Sequence, residues 1–152
     1  MKSLRICLMS LCALLFFVSG FSAAADKNYK KGSVWNVALI ATEPGQTDTY
    51  IDSLKANYTT VMEEARKQGI VSSYKILVGD RANPQDWDLM ILIEYPNWAA
   101  FDTAEEKYDA ITAKMFGSAD KADDNVKQQM KERVKLRTIF GGKQMQEIHF
   151  VK

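Results

Sequence analysis

The stretch Trp87-Asp88-Leu89-Met90-Ile91-Leu92-Ile93-Glu94-Tyr95 decides how this chain is read. Its odd positions, Trp87, Leu89, Ile91, Ile93 and Tyr95, are all large and apolar. Its even positions, Asp88, Met90, Leu92 and Glu94, mix charge with apolar bulk. Alternation with a period of two marks a β-strand with its fatter face in a core. Pro96 ends the strand because it has no amide N–H to continue a ladder, and Asn97 is placed to cap a helix.

Working outward, Trp98, Phe101, Tyr108, Ile111 and Met115 recur at helical spacing after Asn97, and Gly117-Ser118 interrupts them. A third helical pattern places Val126, Met130 and Val134 one turn apart, within a stretch running from Asp120 to Arg137. Gly141-Gly142 resets the chain, and Gln144 to Val151 reads as a last strand. Upstream, Val34 to Thr42 is a β-rich first strand broken by Glu43-Pro44-Gly45. Thr47 then caps a helix whose apolar face is Ile51, Leu54, Tyr58, Val61, Met62 and Ala65, closed by Gly69. Val71 to Val78 is the second strand, joined to the opening stretch by a turn-rich connection.

The order β-α-β-β-α-(α)-β is the α+β, ferredoxin-like sandwich, with an extra helix before the last strand. Helices cover one sheet face. Alternation puts Tyr74, Ile76, Val78, Ile148 and Phe150 under them with the odd residues of 87–95. Asn36, Ala38, Ile40, Lys75, Leu77, Asp88, Met90, Leu92, Glu94, Glu147 and His149 fall on the opposite face. That second face is mixed rather than polar, which calls for something to cover it, most simply a second copy.

The N-terminus carries an address. Lys2 and Arg5 precede an apolar run from Ile6 to Val18, and Ala23-Ala24-Ala25 offers a small-residue cleavage site. This is the layout of a secretory signal peptide over residues 1–25. The apolar run is short of the roughly 20 residues a membrane span needs, so periplasmic or secreted localisation is expected, without stable membrane insertion after cleavage. Residues 26–33 are then a flexible leader and 34–152 the folded domain. Both cysteines, Cys7 and Cys12, leave with the signal, which removes disulfides, thiolate nucleophiles and thiolate metal ligands from the mature chain.

Taking Lys2 and Arg5 from the 20 basic residues leaves 18 against 19 acidic ones. So neutral a chain lacks the positive field of a nucleic-acid binder. The basic residues Lys127, Lys131, Arg133, Lys135 and Arg137 read as a solvated helix face. With one histidine, no metal site is expected. Asp80, Asn83, Asp86 and Asp88 crowd one connection, but without the spacing of a calcium loop, and read as a solvated turn. Gly141-Gly142-Lys143 lacks the spacing and hydroxyl of a phosphate loop. The aromatic residues Trp35, Trp87, Trp98, Tyr74 and Tyr95 read as core.

With this element order, the segment Tyr95-Pro96-Asn97-Trp98-Ala99-Ala100-Phe101 resembles the dimeric α/β-barrel superfamily, in particular its small exported members of unassigned function. The resemblance spans Val34 to Val151. It implies a homodimer whose paired sheets form a barrel, with room for a ligand inside it or between sheet and helices. Members include small monooxygenases, haem-degrading enzymes and stress-response proteins. Asn36 matches the asparagine that cofactor-free members hold near substrate. Haem-binding branches ligate through a histidine on a helix, whereas His149 falls on the last strand, so no cofactor is implied.

Two functions follow. In the first, an exported, stress-associated or small-ligand-binding barrel takes a small apolar molecule against Lys75, Met90, Leu92 and Glu94. In the second, a cofactor-independent monooxygenase-like enzyme uses His149 as acid/base, Glu147 to orient it and Asn36 to polarise substrate. Residues two apart on a strand share a face, so Glu147 and His149 can pair. The same residues also read as interface ion pairs or as solvent-facing groups near a chain end. Whether the protein is an enzyme stays open at this level.

Overall fold

A computed structural model describes residues 28–151. The expected signal peptide lies outside the described residues. Four antiparallel strands, β1 (Tyr29–Thr42), β2 (Ser73–Val78), β3 (Leu89–Tyr95) and β4 (Arg137–Phe150), form one sheet in the order β2-β3-β1-β4. The long helix after β1 is built as α1 (Thr47–Ser53), a π turn (Leu54–Tyr58) and α2 (Thr59–Lys67). A 3-10 turn (Trp98–Thr103) feeds α3 (Ala104–Phe116), and α4 (Ala119–Arg133) precedes β4. The result is an α+β fold consistent with a ferredoxin-like arrangement. Among the described residues no helix is long and apolar enough to cross a membrane.

Local chemistry explains most boundaries. Asn97 caps as expected, its Oδ1 accepting the Ala100 N–H at 3.1 Å, although the first turn it caps is 3-10. Gly117 takes the left-handed conformation at φ 89° that ends α3, and Ser118 Oγ accepts the Lys121 N–H to start α4. At the first helix the cap differs. Thr47 is the first helical residue, and its hydroxyl lies 2.8 Å from that of Thr42 instead.

The outer strands are longer than expected. β1 begins at Tyr29, so residues 29–33 are strand and not leader. They are held by β4, which pairs Tyr29 with Phe150, Lys30 with His149 and Lys31 with Ile148. β4 likewise begins at Arg137 and runs straight through Gly141-Gly142. Glycine is used there for close approach. A Cβ on Gly142 would stand 3.0 Å from the Val37 carbonyl oxygen. The register shifts between Leu39 and Ile40, leaving Phe140 as the extra residue of a bulge.

The core lies between the sheet and the helices. One cluster joins Val34 and Tyr95 to Met62, Ala65, Ile70, Val71, Ala104 and Ile111. The other joins Ile40, Leu89 and Ile91 to Tyr50 and Leu54. A fully buried side chain such as Leu89 contributes about 1.5–3 kcal/mol. The odd residues 89–95 therefore lie under the helices as expected, with Tyr74 and Ile76 beside them.

β1 is the other way round from the expectation. Residues facing each other across an antiparallel pair share a sheet face. Asn36 pairs with Ile93, Ala38 with Ile91 and Ile40 with Leu89, which puts all three on the helix side. Trp35, Val37 and Leu39 pair with Glu94, Leu92 and Met90 and point to the uncovered side. The small Ala38 leaves room for Tyr50, Leu54 and Tyr58 to approach the sheet. Ile148 and Phe150, expected under the helices, are exposed because β1 and β4 run on beyond β3 as a two-stranded ribbon.

Candidate functional site

The uncovered sheet face gathers most of the residues singled out from sequence. Lys75 and Leu92 are register partners, Met90 is opposite Leu77, and Glu94 lies between Ser73 and Trp35. The expected ligand-binding set Lys75, Met90, Leu92 and Glu94 is thus one continuous patch of β2 and β3. Trp35, Val37, Leu39 and Met145 extend it across β1 and β4.

Glu94 is the organised charge of this face. Ser73 on β2 donates a hydroxyl hydrogen bond to it at 2.6 Å, and the Ser33 hydroxyl on β1 also favours its charged form. These hydroxyls, aided by the Lys75 charge and opposed by burial, hold its pKa below the ordinary glutamate value. Such a carboxylate is a fixed anion and acceptor, and a weaker proton acceptor than an ordinary glutamate. The Lys75 ammonium stands 5.5 Å from the centroid of the Trp35 ring, within cation–π range.

Glu147 and His149 lie side by side on β4. Their Oε1 and Nε2 atoms are 4.0 Å apart, and both side chains are well exposed. The imidazole lies across Gly32, where an added Cβ would fall 2.5 Å from Nε2. Asn36 is not with them, because its β1 position faces the helices. The expected triad therefore divides between the two sides of the sheet. Among the described residues no three His, Cys, Asp or Glu side chains group to hold a metal ion.

Two features escaped the sequence. Asp88, read as part of a solvated turn, is buried and ties together β1, the α1 start and the β2–β3 connection. Its carboxylate holds the Thr42 amide and hydroxyl and the Arg81 Nε at 3.1 Å, and an Arg81 Nη2 donates to the Thr42 carbonyl. Arg133, read as part of a solvated basic face, is half-buried at a cleft between the π turn and α4. Gln129, Met130 and Arg133 recurring with Val126 at helical spacing was the signal available for that second feature.

No protein-family model and no curated protein sequence matches the chain. The chain is similar to a solved structure, protein SO0527 from Shewanella oneidensis, at 18% identity and a TM-score of 0.48. The similarity covers 79% of this chain and 97% of that one.

Proposed function

We propose that this chain is an exported small-ligand-binding protein whose uncovered sheet face pairs with that of a second copy, as in a dimeric α/β barrel. One observation carries the reading. Leu77 and Met145, exposed, and Trp35, Leu39, Met90 and Leu92, partly exposed around the buried Val37, make a continuous apolar patch on a sheet face that no described element covers. Contiguous apolar surface of this kind marks an interaction site. The exposed Ile148 and Phe150 on the β1–β4 ribbon supply a second apolar contact beside it. Between the paired faces, Lys75 and the serine-held Glu94 are the polar groups that orient a mostly apolar guest.

The binding reading is favoured over the enzymatic one because Asn36 faces away from Glu147 and His149. The test is the mass of the mature protein in solution by light scattering and native mass spectrometry. A dimer is expected, with Leu39→Lys giving a monomer of unchanged far-UV circular dichroism. A wild-type monomer at micromolar concentration removes the paired-face reading.

A further inference from the structure

The helix layer holds a cleft of about 180 Å³ where the π turn and α2 meet α3 and α4, walled by Tyr58, Val61, Phe116, Val126, Met130 and Arg133. A second hollow of about 290 Å³ adjoins it through Asn57, Gln129 and Arg133. Together they reach the size of small-molecule sites, roughly 300–1,000 Å³. The first cleft is mainly apolar, with Asn57, Thr112 and Gln129 beside the guanidinium, whereas polar side chains, Thr49, Ser53, Asn57, Gln129 and Glu132 among them, line most of the second.

Among the described residues Arg133 has no anionic partner. Its Nη2 donates to the Ser53 carbonyl at 3.4 Å and to Gln129 Oε1 at 3.2 Å, both neutral acceptors. None of the ion pairs among the described residues includes it. Glu132, at the rim of the second hollow, accepts from Gln128 Nε2 at 2.7 Å instead. Burial pulls the Arg133 pKa below the ordinary arginine value, and the like charge of Arg137 adds to this against the fields of Tyr50 and Tyr58. The Tyr58 hydroxyl is buried without a hydrogen-bond partner, as is Arg137 Nε on β4. A π turn is costly relative to regular helix and often marks a functional position. Here it supplies Asn57 and Tyr58 to the cleft.

We propose that this cleft binds a small amphipathic monocarboxylate, with the carboxylate on Arg133 and the hydrocarbon body against Val61, Phe116, Val126 and Met130. The guanidinium fork matches a carboxylate in shape and charge, and Arg133 is the one cation lining the first cleft, its own acceptors there, the Ser53 carbonyl and Gln129 Oε1, being neutral. This site lies in the helix layer and does not depend on what covers the sheet face.

Octanoate and 1-octanol, titrated by calorimetry and by amide NMR into the mature protein, test it. Octanoate is expected to bind at least about tenfold more tightly than octanol, the margin of a charge-assisted hydrogen bond, and to shift the amides of residues 57–61 and 126–133. Arg133→Gln is expected to bring octanoate down to the octanol level. Should that variant fold poorly, Met130→Glu, at a position 54% exposed, places a like charge at the cleft wall and is expected to weaken octanoate selectively. Equal affinity for the two probes, a carboxylate preference surviving both substitutions, shifts confined to the sheet face, or no octanoate binding at millimolar concentration each overturns the proposal. Light scattering on the same samples reads the sheet-face pairing separately, since neither substitution touches it.

Discussion

Asp88 grips Thr42 with both carboxylate oxygens, Oδ1 accepting the backbone N–H at 2.9 Å and Oδ2 the side-chain hydroxyl at 2.6 Å. This buried clasp joins the end of β1 to the approach to β3, next to the first turn of α1. Removing one partner leaves the other unsatisfied, which costs about 1–3 kcal/mol. Asp88→Ala and Thr42→Val are each expected to lower stability by that order, measured by urea unfolding.

The same clasp predicts a pH dependence. Burial opposes ionisation of Asp88, but the Thr42 hydroxyl and amide and the Arg81 charge outweigh it and lower its pKa in the folded state. The unfolded chain therefore binds the proton more readily. The resulting stabilisation is present above the unfolded aspartate pKa, about 3.9, and is lost as pH falls through the folded value. Unfolding followed from pH 7 down to pH 2 should show a steeper acid loss for the wild type than for Asp88→Ala. Parallel curves would deny Asp88 this role.

Gly141 and Gly142 are adjacent but unequal. A Cβ at Gly142 meets the Val37 carbonyl, part of a backbone that cannot swing aside, whereas nothing lies within 4 Å of one at Gly141. Gly142→Ala is expected to destabilise by about 1–3 kcal/mol and Gly141→Ala by less than about 0.5 kcal/mol. Thermal unfolding of the pair decides it, and a reversed order contradicts the β1–β4 register.

Tyr58 carries a buried hydroxyl with no partner, and burial is the first cause of its raised pKa. Deleting that oxygen removes a desolvation cost without opening a cavity. Tyr58→Phe is expected to leave the ligand-free protein as stable or more stable, by up to about 1 kcal/mol. A loss of more than that means the hydroxyl has a bonding partner.

Trp35 reports on the sheet face. In a Trp87→Phe, Trp98→Phe background its emission is expected to shift to longer wavelength on dilution, as pairing is lost and the indole meets water. The Leu39→Lys variant should show the shifted spectrum at every concentration. An emission maximum independent of concentration in the unsubstituted face means that no second copy covers Trp35.

The elements that were legible are those with one dominant signal. Residues 89–95 alternate so strongly that only one face can be buried, and Asn97, Gly117 and Ser118 act through their own backbone neighbours. Lys75, Met90, Leu92 and Glu94 followed from the same alternation, since β2 and β3 are joined locally. The orientation of β1 was not legible, because Val34-Trp35-Asn36-Val37-Ala38-Leu39-Ile40 is apolar in both phases. Alternation there does not say which phase meets the helices, and Asn36, expected on the open face, lies on the helix side opposite Ile93.

By itself, then, the sequence determined the kind and order of the elements, because propensity, capping and alternation act over a few residues. It also placed Glu147 beside His149, because a strand repeats every two residues. Only the tertiary structure decided which way β1 faces, that residues 29–33 are strand, that Asp88 is buried, and that Arg133 borders a cleft. Each of these depends on partners far along the chain, Ile93 for Asn36, Phe150 for Tyr29, Thr42 for Asp88 and Ser53 for Arg133. Contacts between distant segments are set by register and packing, which local periodicity does not encode.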